Sequence, residues 1–181
     1  MSGWDGWIVR ASGLSQSAQC AESTVRYMVF PKPDPEHDMR KCNLETQAHL
    51  FDPIGKLMNA TDRDLTAFRA RGGKLLMYFG WADPALNPLM GIEYYERVKQ
   101  QMGAGVEEFF KLYMMPGVFH CSGGVGPACY DPLAQMIKWV EQGKAPAAIP
   151  AEQRDGQTVV RQRNLCPYPQ VARGGKCVVA Q

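Results

Sequence analysis

Two apolar runs constrain this chain more than anything else in it: KLLMYFG (74–80) and EFFKLYMM (108–115). Each has strand length and almost no polar interruption, the pattern of a strand covered on both faces. Helix-patterned segments surround them. TDRDLTAFRARGG (61–73) offers Thr61 as N-cap, an acidic first turn, Leu65 and Phe68 on one face, and Gly72 as C-cap. NPLMGIEYYERVKQQMG (87–103) places Leu89, Ile92, Tyr95 and Val98 at helical spacing and ends at Gly103. DPLAQMIKWVEQGK (131–144) has Asp131 as cap and Pro132 in the first turn, with Leu133, Met136, Ile137 and Val140 sharing a face. The order helix, strand, helix, strand, helix specifies an α/β fold with parallel strands flanked by helices.

The first sixty residues say less. VRYMVF (25–30) reads as a strand, and PKPDPEHD (31–38) as an extended connector, because a residue before proline avoids the helical region. Residues 43–60 allow a helix that Pro53 and Gly55 keep short. The 181 residues leave room for one domain, or one and part of another. A net charge of +2 without a basic tract gives no footing for nucleic acid or an anionic membrane surface. No apolar run reaches the roughly 18 residues of a membrane span.

Ligands of an open parallel sheet bind beyond the carboxyl ends of its strands. After the first strand comes GWADPALNP, whose only acid is Asp83; after the second comes PGVFHCSGG, whose only base is His120. Strands joined through one helix lie side by side, so the two residues leave the same edge together. A carboxylate can hold an imidazole's tautomer, and the chain order Asp then His is that of the last two triad members in an α/β-hydrolase. Alternatives stay open on these residues alone. Asp before Pro is often a turn residue, and the adjoining His120 and Cys121, with Cys129, could contribute to a metal site of unfamiliar spacing. Leu86, three residues past Asp83, is either a wall of the substrate pocket or a packing residue.

Six cysteines without a CxxC pair read as disulfides more readily than as zinc ligands. Disulfides imply an oxidising compartment, yet MSGWDGWIVRASGLSQSAQC has no charged region followed by an apolar one, as a secretory signal would. The two facts together lead to the expectation that N-terminal sequence is missing.

NATDRDLTAFRARGGKLLMYFGWADPALNPLMGIEYYERV (59–98), GVFHCSGGVGPACYDPLAQMIKWVEQGKAP (117–146) and LCPYPQVAR (165–173) resemble the C-terminal half of the tannase and feruloyl esterase family. GWDGWI and VRYMVF resemble the stretch where that family's inserted lid returns to the catalytic domain. The resemblance implies a partial α/β-hydrolase fold. It divides the chain into a lid-like insertion and return segment (1–58), the C-terminal part of a catalytic domain (59–150), and a disulfide-bonded extension (151–181). It implies that Asp83 is the triad acid, that His120 is the general base, and that Cys121 pairs with a cysteine beside the nucleophile, outside this chain. Cys166 and Cys177 resemble the family's C-terminal disulfide loop. The family's lid binds calcium through acidic residues; none maps here, so no metal and no cofactor are carried over.

One departure from the family pattern matters more than the matches. The family's nucleophile sits in a GCSxGG elbow, and this chain has none. Ser15, in GLSQS, follows no strand, and Ser122 belongs to the histidine loop, so neither suits the strand-to-helix turn an elbow needs. The oxyanion donors carried by the elbow are absent as well. The expectation is therefore the rear portion of a secreted or periplasmic serine esterase for small aromatic esters, inactive until its N-terminal half is supplied. The alternative is a non-catalytic binding or scaffold module stabilised by disulfides. Neither nucleic acid nor a membrane is an expected partner.

Overall fold

The computed structural model describes residues 3–120 and 122–179. It consists of two compact units, one spanning residues 3–61 and one beginning at Asp62. Among the described residues no helix is long and apolar enough to cross a membrane.

The first unit is helical. Helix α1 (Gln16–Thr24) is capped by Ser15, whose hydroxyl accepts from the Ala18 N–H at 3.3 Å. It runs directly into a π-helical turn at Val25–Val29, where a strand was expected. The reason is continuity with α1. Val25 and Val29, four residues apart, are both buried on one helical face, and that spacing overrides the β preference of the run. Short helices α2 (Leu44–Gln47) and α3 (Asp52–Met58) follow, with a 3₁₀ turn between them.

In the second unit, α4 (Thr66–Ala70) starts five residues after the expected cap at Thr61. Asp62 accepts from the Asp64 N–H and Asp64 from the Thr66 N–H, both at 3.0 Å, so consecutive aspartate turns keep this stretch out of the helix. Strands β1 (Leu75–Gly80) and β2 (Phe110–Met115) pair in parallel, Leu75 opposite Phe110 through Gly80 opposite Met115. Helix α5 (Leu89–Met102) makes the crossover between them.

Side chains of β2 alternate between two cores. Phe110, Leu112 and Met114 join Tyr95 and Val98 of α5 in one; Tyr113 and Met115 enter the other with Ile149, Ala151 and Leu165. The second core is roofed by an antiparallel sheet that the hydrophobic pattern did not single out: β3 (Cys129–Tyr130), β4 (Ile149–Asp155) and β5 (Thr158–Leu165). A hairpin of β6 (Gln170–Arg173) and β7 (Lys176–Val179) closes the chain. Just before it, the Tyr168 N–H donates to Leu112 O at 2.7 Å, and this lays residues 167–168 along the outer edge of β2. The far edge of β1 has no strand partner among the described residues.

Helix α6 (Pro132–Gln142) is capped as expected, Asp131 accepting from the Ala134 N–H at 2.9 Å. Most of its apolar face is exposed, however, Met136 alone of the stripe being partly covered. Leu133, Ile137 and Val140 are 68%, 45% and 60% exposed, and the helix packs through Trp139 at 2%. Two parallel strands are only about 5 Å apart, whereas a helix with its side chains is about 10 Å across. With α5 on one face of the pair and β4–β5 over much of the other, the stripe on α6 is left without a covering surface among the described residues.

Candidate functional site

The carboxyl ends of β1 and β2 are stitched together before either reaches its candidate residue. Trp81, after β1, donates its N–H to Met115 O at 2.9 Å; Ala82 donates to Val118 O at 3.1 Å. Gly80 makes this approach possible, because a Cβ there would lie 2.3 Å from Val118 O and 2.5 Å from Phe119 O. The histidine loop is folded on itself by a bridge between Val118 and Gly124 and by the Ser122 N–H donating to His120 O at 2.8 Å. Gly124 has φ +90°, and a Cβ on it would meet Gly117 O at 2.1 Å. The glycines of GVFHCSGG thus serve a tight reversal that presents His120.

The two side chains meet. His120 Nδ1 is 2.9 Å from Asp83 Oδ2. Asp83 Oδ1 accepts from the Ala85 and Leu86 N–H groups at 2.8 and 3.0 Å, so each carboxylate oxygen has its own task and the rotamer is held. The Asp83 side chain is 4% exposed and that of His120 33%. Burial pushes the Asp83 carboxyl upward, but the hydrogen bonds from His120, Leu86 and Ala85, together with the attraction of His120, outweigh it. The net shift is below the ordinary carboxylate range. Asp83 is therefore an anion at neutral pH, accepting from a His120 Nδ1–H, and this tautomer leaves proton transfer to Nε2.

Leu86 enters the site through its backbone, and its side chain is 46% exposed. The Ala85 and Leu86 N–H donors and the close approach at Gly80 lie outside the expectations drawn from the sequence. An Asp followed two and three residues later by free N–H groups was the available signal for the donors. Ser15, as a helix cap, is not on a nucleophile turn. Cys166 and Cys177 are bonded, with Cα atoms 5.5 Å apart, while Cys20, Cys42 and Cys129 are free thiols. Cys121, and with it the pairing expected there, lies outside the described residues. Among those residues, no group of three or more His, Cys, Asp or Glu side chains is arranged to share a metal ion.

The family model described as "Tannase and feruloyl esterase" matches residues 1–177. The chain belongs to this family. Among curated members, it is 45% identical over 117 residues to the mono(2-hydroxyethyl) terephthalate hydrolase of Piscinibacter sakaiensis, covering 63% of this chain and 19% of that protein. It is 37% identical over 154 residues to a probable feruloyl esterase of Arthroderma benhamiae, covering 80% of this chain and 29% of that one. The crystal structure of feruloyl esterase B from Aspergillus oryzae superimposes with a TM-score of 0.75 at 25% identity, over 87% of this chain and 37% of that one. The architecture is accordingly of the α/β-hydrolase type. This tannase-family chain spans between about a fifth and two fifths of the length of these relatives.

Proposed function

We propose that these 181 residues are the acid-and-base portion of a serine hydrolase for carboxylic esters of aromatic acids. The observation that carries the reading is the 2.9 Å contact between His120 Nδ1 and Asp83 Oδ2 at the carboxyl ends of adjacent parallel strands. Two supports come from outside the site. The relatives' names speak of feruloyl esters and a terephthalate monoester, and the sequence contains no GCSxGG elbow. The nucleophilic serine and the oxyanion donors come from polypeptide beyond these residues. That polypeptide also covers the open edge of β1 and the apolar face of α6.

In the mechanism, His120 Nε2 takes the proton of the serine hydroxyl as its oxygen attacks the ester carbonyl. The Asp83 carboxylate stabilises the imidazolium thus formed. Nε2 then protonates the departing alcohol, leaving an acyl-enzyme, and afterwards removes a proton from the water that releases the aromatic acid. Leu86 stands at the rim of the acid loop, as a wall of the acyl pocket. The Cys166–Cys177 disulfide supports residence in an oxidising, extracytoplasmic compartment.

The test is reconstitution. Co-expressing this chain with the elbow-bearing N-terminal portion of a family relative should yield hydrolysis of methyl ferulate, whereas the chain alone should show none. Asp83→Asn should lower reconstituted kcat by about 10⁴-fold and His120→Ala by about 10⁶-fold. Turnover by the chain alone that disappears in His120→Ala would overturn the need for an outside nucleophile. Reconstituted activity that survives His120→Ala would overturn the dyad.

A further inference from the structure

A second recess opens at the carboxyl end of β2, apart from the dyad. Its volume is about 230 Å³ and it is lined by Trp81, Met114, Leu165, Tyr168, Pro169 and Arg163, among others. Pro116, where the histidine loop begins, is part of its wall, but neither Asp83 nor His120 lines it. Its walls are pinned in place. Leu165 is fully buried, and the adjoining Cys166 is tied to Cys177. Tyr168 donates its N–H to Leu112 O at 2.7 Å, and its ring stands edge-on to Tyr95 at 5.9 Å. Trp81 is anchored by its own N–H on Met115, while 45% of its surface stays open. These anchors fix the walls of the recess.

Arg163 supplies the polar end. Its guanidinium reaches Ala172 O at 3.5 Å and faces no carboxylate in any ion pair among the described residues. Local charge reinforces it: residues 149–181 contain five basic side chains and two acidic ones, and of those acids Glu152 is already engaged by Arg154 and Gln162. A guanidinium binds a carboxylate through two parallel N–H donors, and aromatic side chains in a lining, here Trp81 and Tyr168, suit contact with a planar ring. The cavity is smaller than the roughly 300–1,000 Å³ of sites for larger organic ligands, which sets its occupant at about one ring with a short substituent.

We propose that this recess is a binding site for a small aromatic monocarboxylate, with the ring between Trp81 and Tyr168 and the carboxylate on Arg163. Because Trp81 is two residues from Asp83, an occupied recess would stiffen the acid loop. The chemistry of the lining carries this inference, so it stands whether or not the proposed hydrolysis does.

The experiment titrates 4-hydroxycinnamate, and separately its primary amide, into the full chain, read by saturation-transfer NMR and by the indole N–H resonance of Trp81. The acid should bind at least about tenfold tighter than the amide, the difference made by charge-assisted hydrogen bonds. Arg163→Gln should remove that difference, Arg161→Gln should leave most of it, and His120→Ala should leave the binding of the acid unchanged. Equal binding of acid and amide would overturn the site, as would an acid Kd weaker than about 10 mM. So would a Trp81 resonance that does not move. Should Arg163→Gln fail to fold, the acid-against-amide comparison on the unmutated chain decides by itself.

Discussion

Gly80→Ala tests the stitching of the acid and base loops, independently of any activity. The new Cβ would sit 2.3 Å from Val118 O and 2.5 Å from Phe119 O, and both obstacles are backbone rather than the tip of a flexible side chain. Reaching a tolerable 3.0 Å demands that the histidine loop retreat by roughly 0.7 Å, a displacement of the kind overpacking forces at about 1–3 kcal/mol. The loop cannot yield freely, because Ala82 N–H holds Val118 O and Gly124 is packed against Gly117. The cost should therefore fall in the upper half of that range. Urea unfolding followed by circular dichroism should show a midpoint lowered accordingly, at unchanged slope. In reconstituted enzyme, a shift of this size between general base and hydroxyl should cost on the order of 10²-fold in kcat. An unfolding free energy within about 0.5 kcal/mol of the parent's would refute the described approach of the two loops.

Asp83 has a folded-state pKa depressed below its unfolded value, so its stabilising contribution is present above the usual carboxylate pKa near 3.8 and is lost as pH falls through the lower folded value. Acid unfolding of Asp83→Asn should lack this component, and identical acid profiles for variant and parent would count against it. Opening the Cys166–Cys177 disulfide, which closes a loop of 11 residues in sequence separation, should lower stability by about 2–3 kcal/mol, measured as the difference between the parent and a Cys166→Ala, Cys177→Ala variant. Replacing Leu133 and Val140 of α6 by Gln should change the unfolding free energy by less than about 0.5 kcal/mol per site while reducing self-association in sedimentation velocity. A loss above about 2 kcal/mol would instead mean that this face is core. Tyr113→Phe leaves the buried Pro146 carbonyl without the 2.6 Å hydrogen bond it now accepts, at a cost of about 1–3 kcal/mol, visible in the same unfolding assay.

Elements whose signal is local were legible in the chain itself. The continuous apolar runs of β1 and β2, the periodicity of α5 and the Asp131-Pro132 start of α6 each rest on neighbouring residues, and each forms where expected. So did the emergence of Asp83 and His120 from one sheet edge, since parallel strands joined by a crossover helix must deliver both residues to the same side. Tertiary context decided the rest. Val25 and Val29 became helical because α1 carried the chain into them, and the polar strand TVVRQRNL pairs because Ile149 and Leu165 bring it onto the Tyr113 core. The outward apolar face of α6 was beyond reach for the same reason. Periodicity marks which side chains align on a helix, but the surfaces left over by other elements determine whether that face is covered. Likewise Asp and His on adjoining loops were readable as a pair, whereas their 2.9 Å contact depended on Gly80 having no side chain and on two N–H groups that turn one carboxylate oxygen away. Residue order supplies the chemical groups and the edge they leave from; distance is set by contacts between segments far apart in the chain, which no local pattern encodes.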